Sequence, residues 1–406
     1  MNAQPSIALR LPEAAKLPQA TRTVLRMLER LEGGRLELSL PGERALSFGF
    51  GPLSTSLAVH DLRVFEAVLA RGDIGFAESY LDGDWETSDL AALLTLLNAN
   101  RGPISRALYG NPLALLGARF KHFFNANTRA GSKRNILAHY DLGNAFYQLW
   151  LDPSMSYSAA LFGQNRDRQL EEAQHEKNRR ILRALGAAPG SEVLEIGCGW
   201  GGFARIAASE GKLGVHGITL SPAQLAYAQD RMHAAGLAGP TRFELKDYRD
   251  LSGQYPAIVS VEMFEAVGER WWPTWFATLA RNLAPQGRAV VQTITIDEAL
   301  YSRYRKGTDF IQQFVFPGGM LPSISAFTRQ ANQAGLEISE VFRFGQDYAL
   351  TLAHWHRSFE AAWPEIAKLG FDERFRRLWR FYLAYCEAGF ATGSSDVVQF
   401  SMQHRR

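Results

Sequence analysis

VLEIGCGWGG, residues Val193 to Gly202, runs an apolar stretch of strand length into four glycines within six residues. Such a stretch reads as a buried strand. The glycines let the backbone turn tightly and approach a ligand, and the helix that follows offers free N–H groups. A plain strand-to-helix turn needs one or two glycines, so a ligand site is the reading that accounts for four. A dinucleotide fingerprint would add an acidic residue about 20 positions on, at the end of the second strand. That strand ends instead in Thr219-Leu220-Ser221-Pro222-Ala223-Gln224, without a carboxylate, which argues against hydride chemistry. Ser221-Pro222 reads equally well as a helix start, an N-cap followed by proline at N1. Asp247 follows the third strand, where it suits a nucleoside or, as readily, a turn or helix cap.

Working outward, strands are expected at Val193–Ile196, Val215–Leu220, Arg242–Leu245, Ala257–Val261 and Ala289–Ile296, with helices beginning at Phe203 and spanning Pro222–Ala234 and Trp272–Leu283. This alternation implies a mostly parallel sheet covered on both faces, with ligands outside the carboxyl ends of its strands. Upstream, Val24, Leu25, Leu28 and Leu31 share one helical face, and Leu36, Leu38 and Leu40 alternate with polar residues before a Pro41-Gly42 turn and a return strand at Ala45–Phe50. Asp61–Asn98 is helical in pattern, with turns at Gly72 and at Asp82-Gly83-Asp84. Residues 1–100 are read as a small α+β domain, 101–134 as a connector and 135–406 as the catalytic domain.

The 406 residues allow two or three domains, and 46% apolar with 21% charged residues is ordinary globular composition. A net charge of +3 gives no reason to expect nucleic acid. Cys198 and Cys386 cannot build a disulfide framework, which fits a reducing compartment, and no His/Cys/Asp/Glu cluster has metal-ligand spacing. The opening MNAQPSIALRLPEAAK lacks the apolar core of a signal peptide, and Phe310–Thr328, the longest run without Asp, Glu, Lys or Arg, is too polar to span a bilayer. Charge is unevenly spread, however. Residues 90–140 hold no Asp or Glu but contain Arg101, Arg106, Arg119, Lys121, Arg129, Lys133 and Arg134, interleaved with Leu113, Leu115, Leu116, Phe120, Phe123 and Phe124. That mixture suits an anionic phospholipid surface, at roughly 1 kcal/mol per basic residue, and also a solvated linker packed on the next domain.

In this order, VLEIGCGWGGFA, GITLSPAQ, KDYRDL, VEMFEAVG and FPGGMLPS resemble the cyclopropane-fatty-acyl-phospholipid synthase family, which includes the mycolic acid cyclopropane synthases. The resemblance extends to HYDLGNAFYQLWLDPSMSYSAALF at 139–162, DYALTLAHW at 347–355 and YLAYCEAGF at 382–390, and covers about residues 45–400. It implies a class I methyltransferase fold, a Rossmann-like, mostly parallel seven-stranded sheet, using S-adenosylmethionine on unsaturated acyl chains. By position, Tyr157 and Ser158 would close over the S-adenosylmethionine. Val193, Leu194, Glu195, Ile196, Gly197, Cys198, Gly199, Trp200 and Gly201, with Thr219, Leu220, Ser221 and Gln224, and then Asp247 and Tyr248, would line its methionine, ribose and adenine parts. His139, Tyr140, Phe264, Phe310, Phe314 and Phe316 are the candidates for acyl entry and lining, although aromatics at this density are also core residues.

An isolated alkene has no proton to lose before it attacks, so the site must align the π bond with an electrophilic methyl, exclude water and tolerate a carbocation. Closing a ring then needs a base for the transferred methyl. In the family, a bound bicarbonate is placed for this, and the resemblance carries that role to Glu265, Tyr348 and the Ile294 backbone. The chain departs at two further positions: the cysteine position is Ala159 and the histidine position is Gln292. A glutamine can hydrogen-bond an anion but adds no charge and does not titrate. A cation that keeps its methyl proton loses one from an adjacent carbon and ends as a methyl branch. Closure of a cyclopropane ring on unsaturated phospholipid acyl chains is the leading enzymatic reading, with a methyl-branched or methylene product and small-molecule C-methylation as its alternatives, against a noncatalytic binding protein. Expected partners are unsaturated phospholipid chains, an anionic membrane surface and, as an open option, a second copy of the chain. The expected location is cytoplasmic, peripheral on the inner face of the membrane.

Overall fold

The computed structural model describes residues 17–42, 45–105 and 142–405. His139, Tyr140, Asp141 and most of the basic connector lie outside the described residues. Two compact units emerge, one from residues up to 105 together with Glu373–Phe381, the other from residue 142 to Asp372 together with Tyr382 onward.

In the N-terminal unit, strands β1 (Gly34–Ser39), β2 (Leu46–Phe48), β3 (Leu53–Val59) and β4 (Trp85–Glu86) form a sheet in the order β2-β1-β3-β4. The expected hairpin is present, with β1 antiparallel to β2 and Leu36 opposite Phe48. Leu36 and Leu38 are fully buried, as the alternation required. The helix Arg63–Leu81 carries Gly72 at φ 61°, a left-handed conformation that glycine adopts without penalty, and its chain bends there. Trp85 stacks on Phe76 with ring centroids 4.1 Å apart, and Phe381 closes the same cluster edge-on.

The larger unit holds β5 (Glu192–Ile196), β6 (Gly214–Thr219), β7 (Thr241–Leu245), β8 (Tyr255–Val261), β9 (Leu283–Ile296), β10 (Leu336–Arg343) and β11 (Ser395–His404), in the spatial order β10-β11-β9-β8-β5-β6-β7. β5 to β9 run parallel, and only β11 is reversed, antiparallel to both β9 and β10. This is the seven-stranded, mostly parallel arrangement expected, with the reversed strand as its one addition. Alternation along the strands sorts side chains into two cores. Val193, Val215, Ala257, Val259 and Val290 pack against Ile181, Phe203, Ala207, Ala228 and Met232 on one face. Leu194, Ile196, Ile258 and Val291 pack against Trp272, Phe276 and Phe327 on the other.

Phe264 belongs to this second core. Its ring is fully buried and enclosed by Trp272, Trp275, Phe276 and Phe327, all with centroids within 5.6 Å. Its surroundings are thus structural aromatics, whereas an acyl-lining position would leave one face open. Replacing Phe264 by Ala should lower the unfolding free energy of this unit by about 3–5 kcal/mol, as read from urea denaturation of the purified protein.

Candidate active site

The carboxyl ends of β5, β6, β8 and β9 meet along one edge of the sheet. After β5 the chain turns through Gly197 and Gly199, at φ 84° and 51°, where any other residue would be strained. The Gly197 and Cys198 N–H groups both donate to Ile218 O at the end of β6, which fixes the turn to the neighbouring strand. Trp200 Nε1 donates to Asn144 Oδ1 at 2.8 Å, and Asn144 Nδ2 donates to Ala223 O at 3.1 Å. One side chain from the HYDLGN segment thereby links the glycine turn to the start of helix Pro222–Ala234. Ser221 caps that helix and Pro222 follows as expected, while Thr219 Oγ1 donates to the buried Gln224 Oε1 at 3.0 Å.

Glu195, at the end of β5, is buried, and its Oε2 has no partner among the described residues. Burial holds its carboxyl well above the ordinary range. An unsatisfied buried acceptor beside a left-handed glycine turn fits the ammonium end of S-adenosylmethionine, so the residue set suits that molecule. At the other end, Asp247 accepts from Arg249 N, Nε and Nη2 and caps the turn Tyr248–Asp250, so its side chain does the work of a turn residue here. Tyr248 packs partly buried against the second core.

Segment 157–162 is pinned over this edge from several directions. Tyr157 OH shares a 2.8 Å hydrogen bond with Tyr382 OH. Ser158 Oγ accepts from the buried Lys177 Nζ at 2.8 Å, and Ser158 O accepts from Gln174 Nε2 at 2.7 Å. Phe162 N and Gly163 N donate to Asp347. Phe310 stacks on Phe314 and meets Tyr385, while Phe316 lies edge-on to Tyr382, the hydrogen-bond partner of Tyr157.

The centre of the site is a residue that sequence reasoning passed over. Glu262, one residue beyond β8, takes a positive φ of 49° that is rare for a side-chain-bearing residue. Its Oε1 accepts from Ala159 N at 2.8 Å and from Gln292 Nε2 at 2.7 Å, and its Oε2 accepts from Tyr348 OH at 2.6 Å. Its own N–H donates to Gln292 O at 2.8 Å. Ala159, Gln292 and Tyr348 are therefore brought together as expected, but on the carboxylate of Glu262. Glu265 stands apart from them, accepting from Ile294 N at 2.5 Å and Thr293 Oγ1 at 2.9 Å, with Oε2 buried and unpartnered among the described residues. The signal that could have found Glu262 was the pair of glutamates in VEMFEAVG, coinciding with loss of both the cysteine and the histidine.

Burial, and then the neighbouring Glu262 charge, pushes Glu265 up to about 8. Glu262 is also raised by burial, but its three donors and Lys177 oppose that shift. Lys177 is lowered to about 8 by burial, against the pull of Glu262, Asp152 and Glu195. Both thiols, Cys198 and Cys386, are raised by burial, which leaves neither as a nucleophile at neutral pH. No group of three metal-ligating side chains occurs among the described residues, and none of their helices is long and apolar enough to cross a membrane.

A family model described as mycolic acid cyclopropane synthetase matches residues 127–400. The chain belongs to this family. It is 36% identical to tuberculostearic acid methyltransferase UfaA1 of Mycobacterium tuberculosis, with 98% of this chain and 97% of the relative aligned. It is equally 36% identical to the cyclopropane-fatty-acyl-phospholipid synthase of Escherichia coli, over 84% of this chain and 85% of that one. Among solved structures, mycolic acid cyclopropane synthase CmaA1, complexed with SAH and CTAB, superposes with a TM-score of 0.63 at 31% identity, covering 67% of this chain and 98% of the other. The protein is accordingly an S-adenosylmethionine-dependent methyltransferase of the family that transfers a one-carbon unit to lipid acyl chains.

The neutral state of Glu265 has a consequence for stability. Below pH 4.5 folded and unfolded chains both hold its proton. As the pH rises toward about 8 only the unfolded chain ionises freely, so the stability attached to the neutral carboxyl is lost across that window. Glu265→Gln, which keeps an acceptor for Ile294 and Thr293, should become progressively more stable relative to the parent between pH 5 and pH 8 in paired denaturation curves.

Proposed function

We propose that the enzyme methylates the double bond of an unsaturated acyl chain in a membrane phospholipid, and that the cation loses a proton from a neighbouring carbon to give a methyl-branched alkene, or, after a hydride shifts onto the cationic carbon from the methyl-bearing one, loses a methyl proton to give a methylene, rather than closing a cyclopropane ring. The observation that carries this reading is the Glu262 carboxylate, hydrogen-bonded to the three groups that stand at family positions for bicarbonate. With those donors engaged, a diffusible anion has lost its binding partners.

S-adenosylmethionine, when bound, supplies an electrophilic methyl group. The chain's residues then do three things. Tyr157, Tyr382 and Phe316 form an aromatic wall whose ring faces suit a developing cation. Ala159, Gln292 and Tyr348, the buried residues that surround the part-buried Glu262 carboxylate, exclude water that would otherwise trap the cation. Glu262 presents a fixed negative charge and a base. A carboxylate tied to the end of β8 cannot follow the transferred methyl as a free anion can, so the proton it removes is set by where the acyl chain lies, which favours loss beside the cation. The relative aligned over nearly the whole chain, named as a methyltransferase of tuberculostearic acid, supports the same direction. The acid-free stretch 90–140 supports a peripheral site of action on an anionic leaflet.

Purified enzyme, vesicles of monounsaturated phosphatidylglycerol and methyl-labelled S-adenosylmethionine decide the product. Proton NMR of the fatty esters should show vinylic methyl signals or the =CH2 signals of a chain methylene, and high-field ring protons in their place would overturn the reading. Glu262→Gln should reduce kcat by about 10²–10⁴-fold. In Glu262→Gly, which opens the space and frees the donors, added bicarbonate should restore part of the activity while leaving the parent enzyme unchanged.

A further inference from the structure

Behind Gln292 lies a chain of side chains that the reading above does not use. Gln292 and Gln399 are direct partners in the β9–β11 pairing, and both are fully buried. Gln399 Nε2 donates to Gln292 Oε1 at 2.9 Å, and Gln399 Oε1 accepts from Arg180 Nη1 at 2.6 Å. Arg180, on helix Leu170–Leu185, lies over the Phe342 ring with its guanidinium carbon 3.7 Å from the centroid, and pairs with the half-exposed Glu340 at 2.6 Å.

An amide side chain can usually be turned end for end, exchanging donor and acceptor. Here it cannot. A guanidinium only donates, so Gln399 must offer it oxygen and pass its NH₂ inward. Gln292 must then meet that NH₂ with its own oxygen and turn its NH₂ toward Glu262. An ionised carboxylate only accepts, so the far end demands the same polarity. Both ends thus impose one direction on the whole row.

We infer that Arg180 and Gln399 are positioning residues that hold Gln292 in the donor orientation and thereby keep Glu262 ionised in the active site. The proposal rests on the reading of Glu262 given above. Flipping Gln292 would set its oxygen against the carboxylate, and Glu262 would take up a proton to relieve the repulsion. The other charged or titratable groups facing Glu262 are Tyr348 from helix Gly345–Lys368, Lys177 from helix Leu170–Leu185 and Glu265 from the turn after β8. Lys177 lies on the same helix as Arg180, one turn earlier, so that single helix supplies a cation to Glu262 both through space and through the amide row.

The test is a pH titration of the Glu262 carboxyl stretch by infrared difference spectroscopy, with the band assigned by its loss in Glu262→Gln. Gln399→Met removes the inner donor while leaving the Arg180 charge in place, so a shift cannot come from lost charge. The midpoint should move up by about one pH unit, matching one hydrogen bond to a charged group. The acid limb of kcat/KM should follow it. Arg180→Met should move the midpoint in the same direction by less, and Gln399→Leu, which also keeps the Arg180 charge, carries the test should Gln399→Met fail to fold. An unmoved midpoint in a folded variant overturns the inference. If instead Glu262→Gln keeps full turnover, the reading of Glu262 as the base fails, while the infrared midpoints still report on the amide row.

Discussion

A carboxylate partly withdrawn from water at the end of a strand is costly unless its oxygens are engaged, and Glu262 meets that requirement through donors from three separate parts of the chain. Ala159 comes from the pinned segment over the sheet edge, Gln292 from the neighbouring strand and Tyr348 from the helix that follows β10. Each is itself held. The Ala160 N–H rests on Thr351, Tyr348 is stacked on Phe390 at 4.4 Å, and Gln292 is fixed through Gln399. The positive φ at Glu262 belongs to the same constraint, because it aims the side chain back across the strand end where all three donors converge.

Around this anion the charges are separated by environment. Glu265, a turn away, is denied comparable donors for its second oxygen and is held neutral around pH 7. Glu262 has the donors and a nearby ammonium. Burial raises both carboxyls, but the three donors and Lys177 oppose that shift at Glu262, whereas at Glu265 the Glu262 charge adds to it. The neutral Glu265 supports Ile294 and Thr293 at the end of β9, and so acts on the backbone that carries Gln292.

Much of this was readable beforehand. The glycine turn, the capped helix at Ser221-Pro222 and the five central strands announce themselves by period and by turn chemistry, because burial on both faces forces continuous apolar runs. Ala159, Gln292 and Tyr348 were legible as a set. Glu262 was not, since a lone glutamate after a strand has no periodic signature and its conformation is strained only in three dimensions. Phe264 misled for a related reason: an aromatic in a motif looks the same whether its ring faces a ligand or Trp275. The two last strands were also invisible, because β11 finds its partner β9 far upstream, with Gln399 opposite Gln292, and β10 at the sheet edge pairs only with β11, so tertiary contact selects both.

The reversed strand has an outcome for assembly. β11 is the last in chain order of the eleven strands among the described residues, yet it must wedge between two strands made before it, bringing Gln399 alongside Gln292. Non-local pairing of this sort forms late, after local helices and the earlier parallel strands. A nascent or clipped chain would hence own a finished donor pocket but an unpolarised base, and competence for chemistry would arrive only as the sheet is zipped shut.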